Sequence, residues 1–275
     1  MTITSLVENT SISGLPVEHG LSLFIQLDDG RNVLFDMGQG TLFAANAERL
    51  GLRIQDVDVA VISHGHYDHG GGLRTFLTLN DKAPVYIHRE AFAPHYSLHE
   101  DGLRYIGLER ELNADERLVR CDQRMEIDHS LWLFSGVTGT CCRPLGNRLL
   151  FGPRPEVADT FSHEQNLLIR AGHQTVLFAG CAHCGIVSIM DHATAWLGTP
   201  PTHVLAGMHL VNSGLNEADE SAFIASLAHE LSRYPDTQFI TMHCTGSEGY
   251  EQLKGLMGNR ISYLSCGSQC QITCD

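Results

Sequence analysis

The chain is short of the features that mark several protein classes. It has no stretch approaching the ~18 uncharged apolar residues that a bilayer span requires, so no membrane partner is expected. Its first residues, MTITSLVENTSISG, hold no basic start followed by an apolar run. That leaves no secretory signal and points to the cytoplasm. Lys and Arg total only 18 against 32 Asp and Glu, for a formal net charge of −14. No window concentrates the basic residues, whereas nucleic-acid binding relies on clustered Lys and Arg. Nucleic acid is therefore not an expected partner, and a small molecule is. No Pro/Gly/Ser linker or low-complexity run divides the sequence, so 1–275 reads as a single domain. A homo-oligomer is compatible with an acidic chain of this size.

The nine cysteines are odd in number and scattered, which argues against a disulfide framework and for reduced thiols. Cys266, Cys270 and Cys274 are spaced four apart and would share one helix face. Gly267, Ser268 and the β-leaning QIT that follows argue against a helix there, and small buried thiols are the expectation.

What is present is a repeated layout. Residues 21–27 read as a strand, Asp29-Gly30 as a hairpin turn and 33–36 as the returning strand. A helix follows at 41–50, closed by Gly51. The apolar run 57–63 suits a strand buried on both faces. A short helix (71–79), a strand at 85–87 and a less regular stretch to about 128 come next. The second half has strands at 165–170 and 174–180, a helix at 185–197 and a strand at 202–207. A helix at 217–232 and a strand at 238–243 complete it, and Thr245 with Glu248 suits a capping box opening a last helix. Two halves of this form imply an α/β fold: an αββα sandwich of two mixed sheets face to face, with helices outside.

The strongest chemical signal is His64-Gly65-His66-Tyr67-Asp68-His69. Four of these six residues carry side chains that ligate divalent transition metals. His64 and His66, two apart at a strand end, can reach one ion. Asp68 and His69, past the turn, are displaced toward a second. Gly65 and Gly70-Gly71-Gly72 allow the backbone to fold tightly around them. The alternative, a cluster of surface histidines, fits poorly with the buried strand that leads into the motif.

H-x-H-x-D-H after a buried strand resembles the metallo-β-lactamase superfamily. Asp36 in LFDMG matches that family's upstream aspartate, which implies support of the metal loop from outside. EHGLSLFIQ, LFDMGQG, GCAHCGIV, GMHL and MHCTG resemble one branch, the dihydropteridinyl-methyl-ribofuranosylaminobenzene phosphate synthase-like proteins. The sequence departs from the family at two places. SGVTG (135–139) stands where a third-motif histidine is usual, and Gly180-Cys181 replaces Gly-Asp. His183, two residues on, can supply the missing imidazole.

The resemblance implies two divalent ions, zinc first, with iron or manganese as alternatives. His64, His66 and His183 would hold one, and Asp68, His69 and His243 the other. Cys181 would bridge or join the second site. His209 competes with His243 for the last position and otherwise faces substrate as an acid or base. His19 is a candidate for the cavity rim. His163-Glu164-Gln165 is placed to line the cleft, and 88–107 to form a lid. His88, His95, His99 and the remaining histidines show no ligand spacing, and Cys141, Cys142 and Cys184 carry no signal beyond burial.

The implied activity is hydrolysis of a small ester, lactone, amide or phosphoester by a hydroxide held between the ions, with Asp68 orienting it. One alternative is a transferase acting on a ribosyl phosphate, for which Arg143, Arg148 or Arg154 would line an anion pocket. Another is a di-iron redox enzyme.

Overall fold

The computed structural model describes residues 1–211 and 216–273. Two seven-stranded sheets face each other. The first runs in the order Gln269–Gln271, Thr2–Val7, Ser22–Gln26, Asn32–Phe35, Val59–Ile62, Val85–His88, Leu118–Cys121. The second runs Ile261–Tyr263, Gln238–Thr241, His203–Ala206, Gln174–Ala179, Gln165–Ala171, Leu131–Ser135, Arg124–Asp128. Each mixes antiparallel hairpins with parallel strands.

Alternate residues of each strand divide between two cores. Val33, Phe35, Val59 and Val61 face inward and meet Leu167, Val176, Phe178 and Leu205 of the other sheet. Phe35 and Phe178 touch across the interface, ring centroids 5.8 Å apart. Each is fully buried, and truncating either to Ala is expected to cost about 3–5 kcal/mol. Leu34, Ala60 and Ile62 face outward against Phe43 and Phe76 of the helices Leu42–Arg49 and Leu73–Leu79. On the far side, Leu168, Leu177 and Val204 pack under Ile186–Leu197 and Glu217–Leu231. This is the αββα sandwich that the periodicity implies.

Several expectations are corrected. The stretch to 128 is ordered: Tyr96–His99 and Gly102–Tyr105 form a hairpin that Leu150–Phe151 joins as a small third sheet. The terminal segments Thr2–Val7 and Gln269–Gln271 pair at the edge of the first sheet. The helix Ser247–Met257 follows Gly246 with no side-chain cap. The Thr245 hydroxyl instead accepts from the Met208 N–H (2.9 Å) and pairs with Thr241, because the loop must bind the neighbouring strand end. Cys266 is buried and points its thiol at the Leu6 carbonyl, while Cys270 sits on an edge strand, so these two do not share a helix face. Cys274 lies outside the described residues.

Candidate metal centre

Five strands deliver the site. Asn32–Phe35 and its parallel neighbour Val59–Ile62 run into Asp36 and into Ser63-His64. In the second sheet, three parallel neighbours run into Gly180-Cys181, Gly207-Met208-His209 and Met242-His243. Parallel strands ending together put their loops on one edge, where α/β folds collect ligands. The backbone there is strained. Asp36 (φ 60°), Ala182 (φ 51°), His209 (φ 45°) and His243 (φ 52°) adopt left-handed conformations. Such conformations cost about 1–3 kcal/mol each and persist only where the surroundings enforce them. Glycine serves where loops touch: a Cβ on Gly180 would lie 2.3 Å from Ser63 Oγ.

Two groups of side chains converge. In the first, His64 Nε2 lies 3.0 Å from His66 Nδ1, with a His183 nitrogen within 4.8 Å of both. In the second, His69 Nε2 is 3.2 Å from His243 Nε2, and Asp68 Oδ2 is 3.6 Å and 3.4 Å from those two nitrogens. Cys181 Sγ stands between the groups, 3.1 Å from His69 Nε2 and within reach of His64. All seven residues are buried. Tetrahedral zinc with bonds of about 2.1 Å spaces its ligand atoms about 3.4 Å apart.

The outer hydrogen bonds fix which ring nitrogens face inward. Asp36 accepts from the Ser63 N–H (2.7 Å), the Ser63 hydroxyl (2.7 Å) and His69 Nδ1 (2.6 Å). His69 Nε2 therefore faces the site, where it offers a lone pair once the ring's second proton is released. His243 Nδ1 donates to Asn9 Oδ1 (2.9 Å), and its backbone N–H donates to Glu8 (2.7 Å). His183 Nδ1 donates to Asn147 Oδ1 (2.9 Å). The Ser63 hydroxyl, already donating to Asp36, accepts from His64 Nδ1 (2.9 Å). His64, His183 and His243 thus aim lone pairs inward, His69 does so once it gives up its second proton, and Asp68 adds a carboxylate. Buried acceptors facing one another are costly, and His183 Nε2 has no partner at all. A divalent cation fits this donor set.

Charge divides the two groups. Burial first, then the neighbouring imidazoles, holds His64 well below the ordinary histidine value. Burial likewise depresses His66 and His183. Burial works against charge on His69 too, but Asp36 and Asp68 outweigh it and raise its pKa to about 9. Burial alone would raise Asp68; His69, His19 and His243 reverse that and hold it well below the usual carboxylate range. Burial pushes the Cys181 thiol up.

The centre opens into a cavity of about 280 Å³. His19, half exposed, stands at its rim with Nε2 3.2 Å from Asp68 Oδ2. His209 lines the wall against His183, ring centroids 4.4 Å apart, while His243 sits with Asp68 and His69. Ser97 and His99 of the small sheet and Ile106 just beyond it also line the cavity, which places part of 88–107 over the centre.

Other expectations fail. His163, Glu164 and Gln165 stand behind the centre. His163 accepts from the Gly65 N–H (2.9 Å), and Glu164 accepts from the N–H groups of His183 (2.6 Å) and Cys184 (2.9 Å). Gln165 donates to the Ile62 carbonyl (2.8 Å). Arg143, Arg148 and Arg154 do not line the cavity; Arg143 donates to the Thr160 carbonyl and Arg154 pairs with Glu156 at the surface. Glu8, Asn9, Asn147, Asp159 and Cys244 carried no readable signal, apart from Cys244 following His243 directly.

The sequence profile of the Metallo-beta-lactamase superfamily matches residues 15–209. The chain belongs to this superfamily, whose members are generally metal-dependent hydrolases. An uncharacterised protein of Methanocaldococcus jannaschii is 27% identical over 262 residues, covering 92% of this chain and 94% of that one. The 7,8-dihydropterin-6-methyl-4-(beta-D-ribofuranosyl)-aminobenzene-5'-phosphate synthase of the same organism is 23% identical, covering 83% and 81%. Among solved structures, Tm1679, a metal-dependent hydrolase of the β-lactamase superfamily, superposes with a TM-score of 0.81 at 27% identity, covering 99% of each chain.

Proposed function

We propose that the protein is a dinuclear metal-dependent hydrolase of a small ester, lactone, amide or phosphoester. The carrying observation is the pair of adjoining donor groups whose tautomers are set from outside. His64, His66 and His183 would hold one ion, and Asp68, His69 and His243 the other, with Cys181 placed to bridge or join the second. The donor chemistry suits zinc, with iron or manganese also accommodated. Bound ions would lower the pKa of a water toward about 7 and polarise the oxygen under attack. Around them, Asp68, with Oδ2 3.2 Å from His19 Nε2 at the cavity rim, would orient the nucleophile. His19 and His209 stand on the cavity wall, able to donate a proton to a leaving group. Ile106, Leu149, Leu150 and Val211 give the cavity an apolar side for substrate.

Among the described lining residues there is no Lys or Arg. That weighs against a phosphate-directed transferase and favours weakly charged substrates. Elemental analysis of the wild type, Asp68→Ala and His183→Ala tests the reading. About two zinc ions per chain, fewer in each variant, with turnover in an ester and lactone screen, is the expected result. Two irons would move the assignment to redox chemistry, and a metal-free wild type would refute it.

A further inference from the structure

A second buried cluster adjoins the centre. His66, His95, Asp159 and His163 each offer a donor atom within 4.8 Å of the other three. All four side chains are less than a twentieth exposed. Asp159 is its hub: Oδ2 accepts from His95 Nδ1 (2.8 Å) and from His163 Nε2 (3.3 Å). His163 Nδ1 is occupied by the Gly65 N–H. These bonds assign every proton. His163 keeps its proton on Nε2 and His95 keeps its own on Nδ1, so His95 Nε2 bears a lone pair. That nitrogen is buried and without a partner, and so is His66 Nε2. The two rings meet edge to face, centroids 5.5 Å apart.

This proton inventory speaks against a third ion here, because His163 would have to lose its only proton to ligate. It fits a different task. Once His66 offers the lone pair of Nδ1 toward His64 and His183, its Nε2 must carry the proton. That N–H is the complement of the lone pair on His95. We propose that His95, backed by Asp159, is a positioning residue for His66. It accepts a hydrogen bond from His66 Nε2–H through one water, or directly after a small turn of either ring, fixes the ring with Nδ1 facing the centre and raises its basicity toward a cation.

The backbone is built to bring these rings together. A Cβ on Gly65 would lie 2.8 Å from His95 Nε2 and 2.2 Å from the Ala91 carbonyl oxygen, so only glycine lets the two loops approach this closely. The turn carrying Asp159 and His163 serves the rest of the same group. Phe161, at φ 58°, stacks on the His183 ring with centroids 4.3 Å apart. Glu164 then binds the His183 N–H. One turn therefore holds Gly65, His66 and His183 together.

The inference rests on the metal-centre reading, and stepwise zinc titration against a competing chelator separates the two. Wild type failing to bind zinc would remove the metal centre itself, before any variant is compared. With zinc bound, His95→Ala and Asp159→Asn should weaken one of the two ions about 10–100-fold and leave the other unchanged. His95→Gln, whose amide oxygen can still accept, should recover part of that loss. Equal weakening of both ions, a drop only in metal-free melting temperature, or no rescue by glutamine would overturn the positioning role. A third zinc in wild type that His95→Ala removes would replace it with a metal site. If His95→Ala fails to fold, Asp159→Asn and His95→Gln carry the same comparison.

Discussion

The two donor groups lie side by side but are held in different ways. His64, His66 and His183 form an all-imidazole group whose rings are backed directly by neutral side chains at Ser63 and Asn147, with carboxylates one step away: Glu164 on the His183 backbone and Asp159 behind His95. Asp68, His69 and His243 form a mixed group with carboxylates close behind: Asp36 on His69 and Glu8 on the His243 backbone. The rings of the first group are already neutral at neutral pH, each with a lone pair free for a cation. The second attracts a cation more strongly but must surrender a proton from His69 to receive it. Neighbouring ions in this centre would therefore bind by different rules, although their ligand types overlap.

The sharpest break of the comparison comes from the outer partners. Asp36→Ala leaves the His69 Nδ1–H, the Ser63 hydroxyl and the Ser63 N–H without their acceptor in a fully buried site. The expected result is loss of the ion on the Asp68 side, by more than the roughly 100-fold that marks the top of the range for outer-partner variants. Asn147→Ala removes a single neutral acceptor from His183, and about tenfold weakening confined to the other ion is expected. Stepwise zinc affinities measure both. Similar losses from the two variants would mean that the groups are not separately supported.

A second contrast appears with pH. His69, held protonated up to about 9 by Asp36 and Asp68 after burial is overcome, must release its proton on binding. Affinity on the Asp68 side should fall about tenfold for each pH unit below 9, on the order of 100-fold by pH 7. His64, His66 and His183, whose pKa values burial depresses, should bind with flat affinity over that range. Zinc titrations at pH 7, 8 and 9 show one sloping and one level line, or else refute the charge division.

Much of both donor groups was legible in the chain, and the reason is local. His64, His66, Asp68 and His69 lie within six residues, so a strand followed by a glycine-rich turn brings them together with little help from the rest of the fold. His183 and His243 could be proposed because each follows an apolar run that reads as a strand. The supports were not legible, because they are made by tertiary contacts between distant segments. Glu8 reaches His243 across 235 positions, and Asn147 reaches His183 from a single 3-10 turn, Leu145–Leu149, 36 positions away. His95 showed no ligand spacing and His163 only a place near the cleft for the same reason: a shared aspartate, 64 positions from one and four from the other, gives them their meaning. The fold was legible where alternation and hairpin turns were strong. It was lost between residues 93 and 130, where short strands carry mixed burial.

The smallest effect is on the metal-free protein, where the two groups should pull stability in opposite directions. The His69 pKa is higher in the folded chain than the ordinary 6.5. Its contribution is therefore complete below pH 6.5 and is lost as pH rises toward about 9, with an upper bound of about 3 kcal/mol. His64, His66 and His183 have depressed values when folded, so they oppose folding once pH drops below 6.5 and are neutral above it. The chelated protein should then be most stable near pH 6.5 to 7. Its melting temperature should fall by a few degrees on either side. Bound zinc takes the place of the His69 proton, so the alkaline fall should vanish in the loaded protein while the acid one remains. An alkaline fall that persists with zinc bound would place its origin outside His69 and leave the contrast between the two groups resting on the affinity measurements alone.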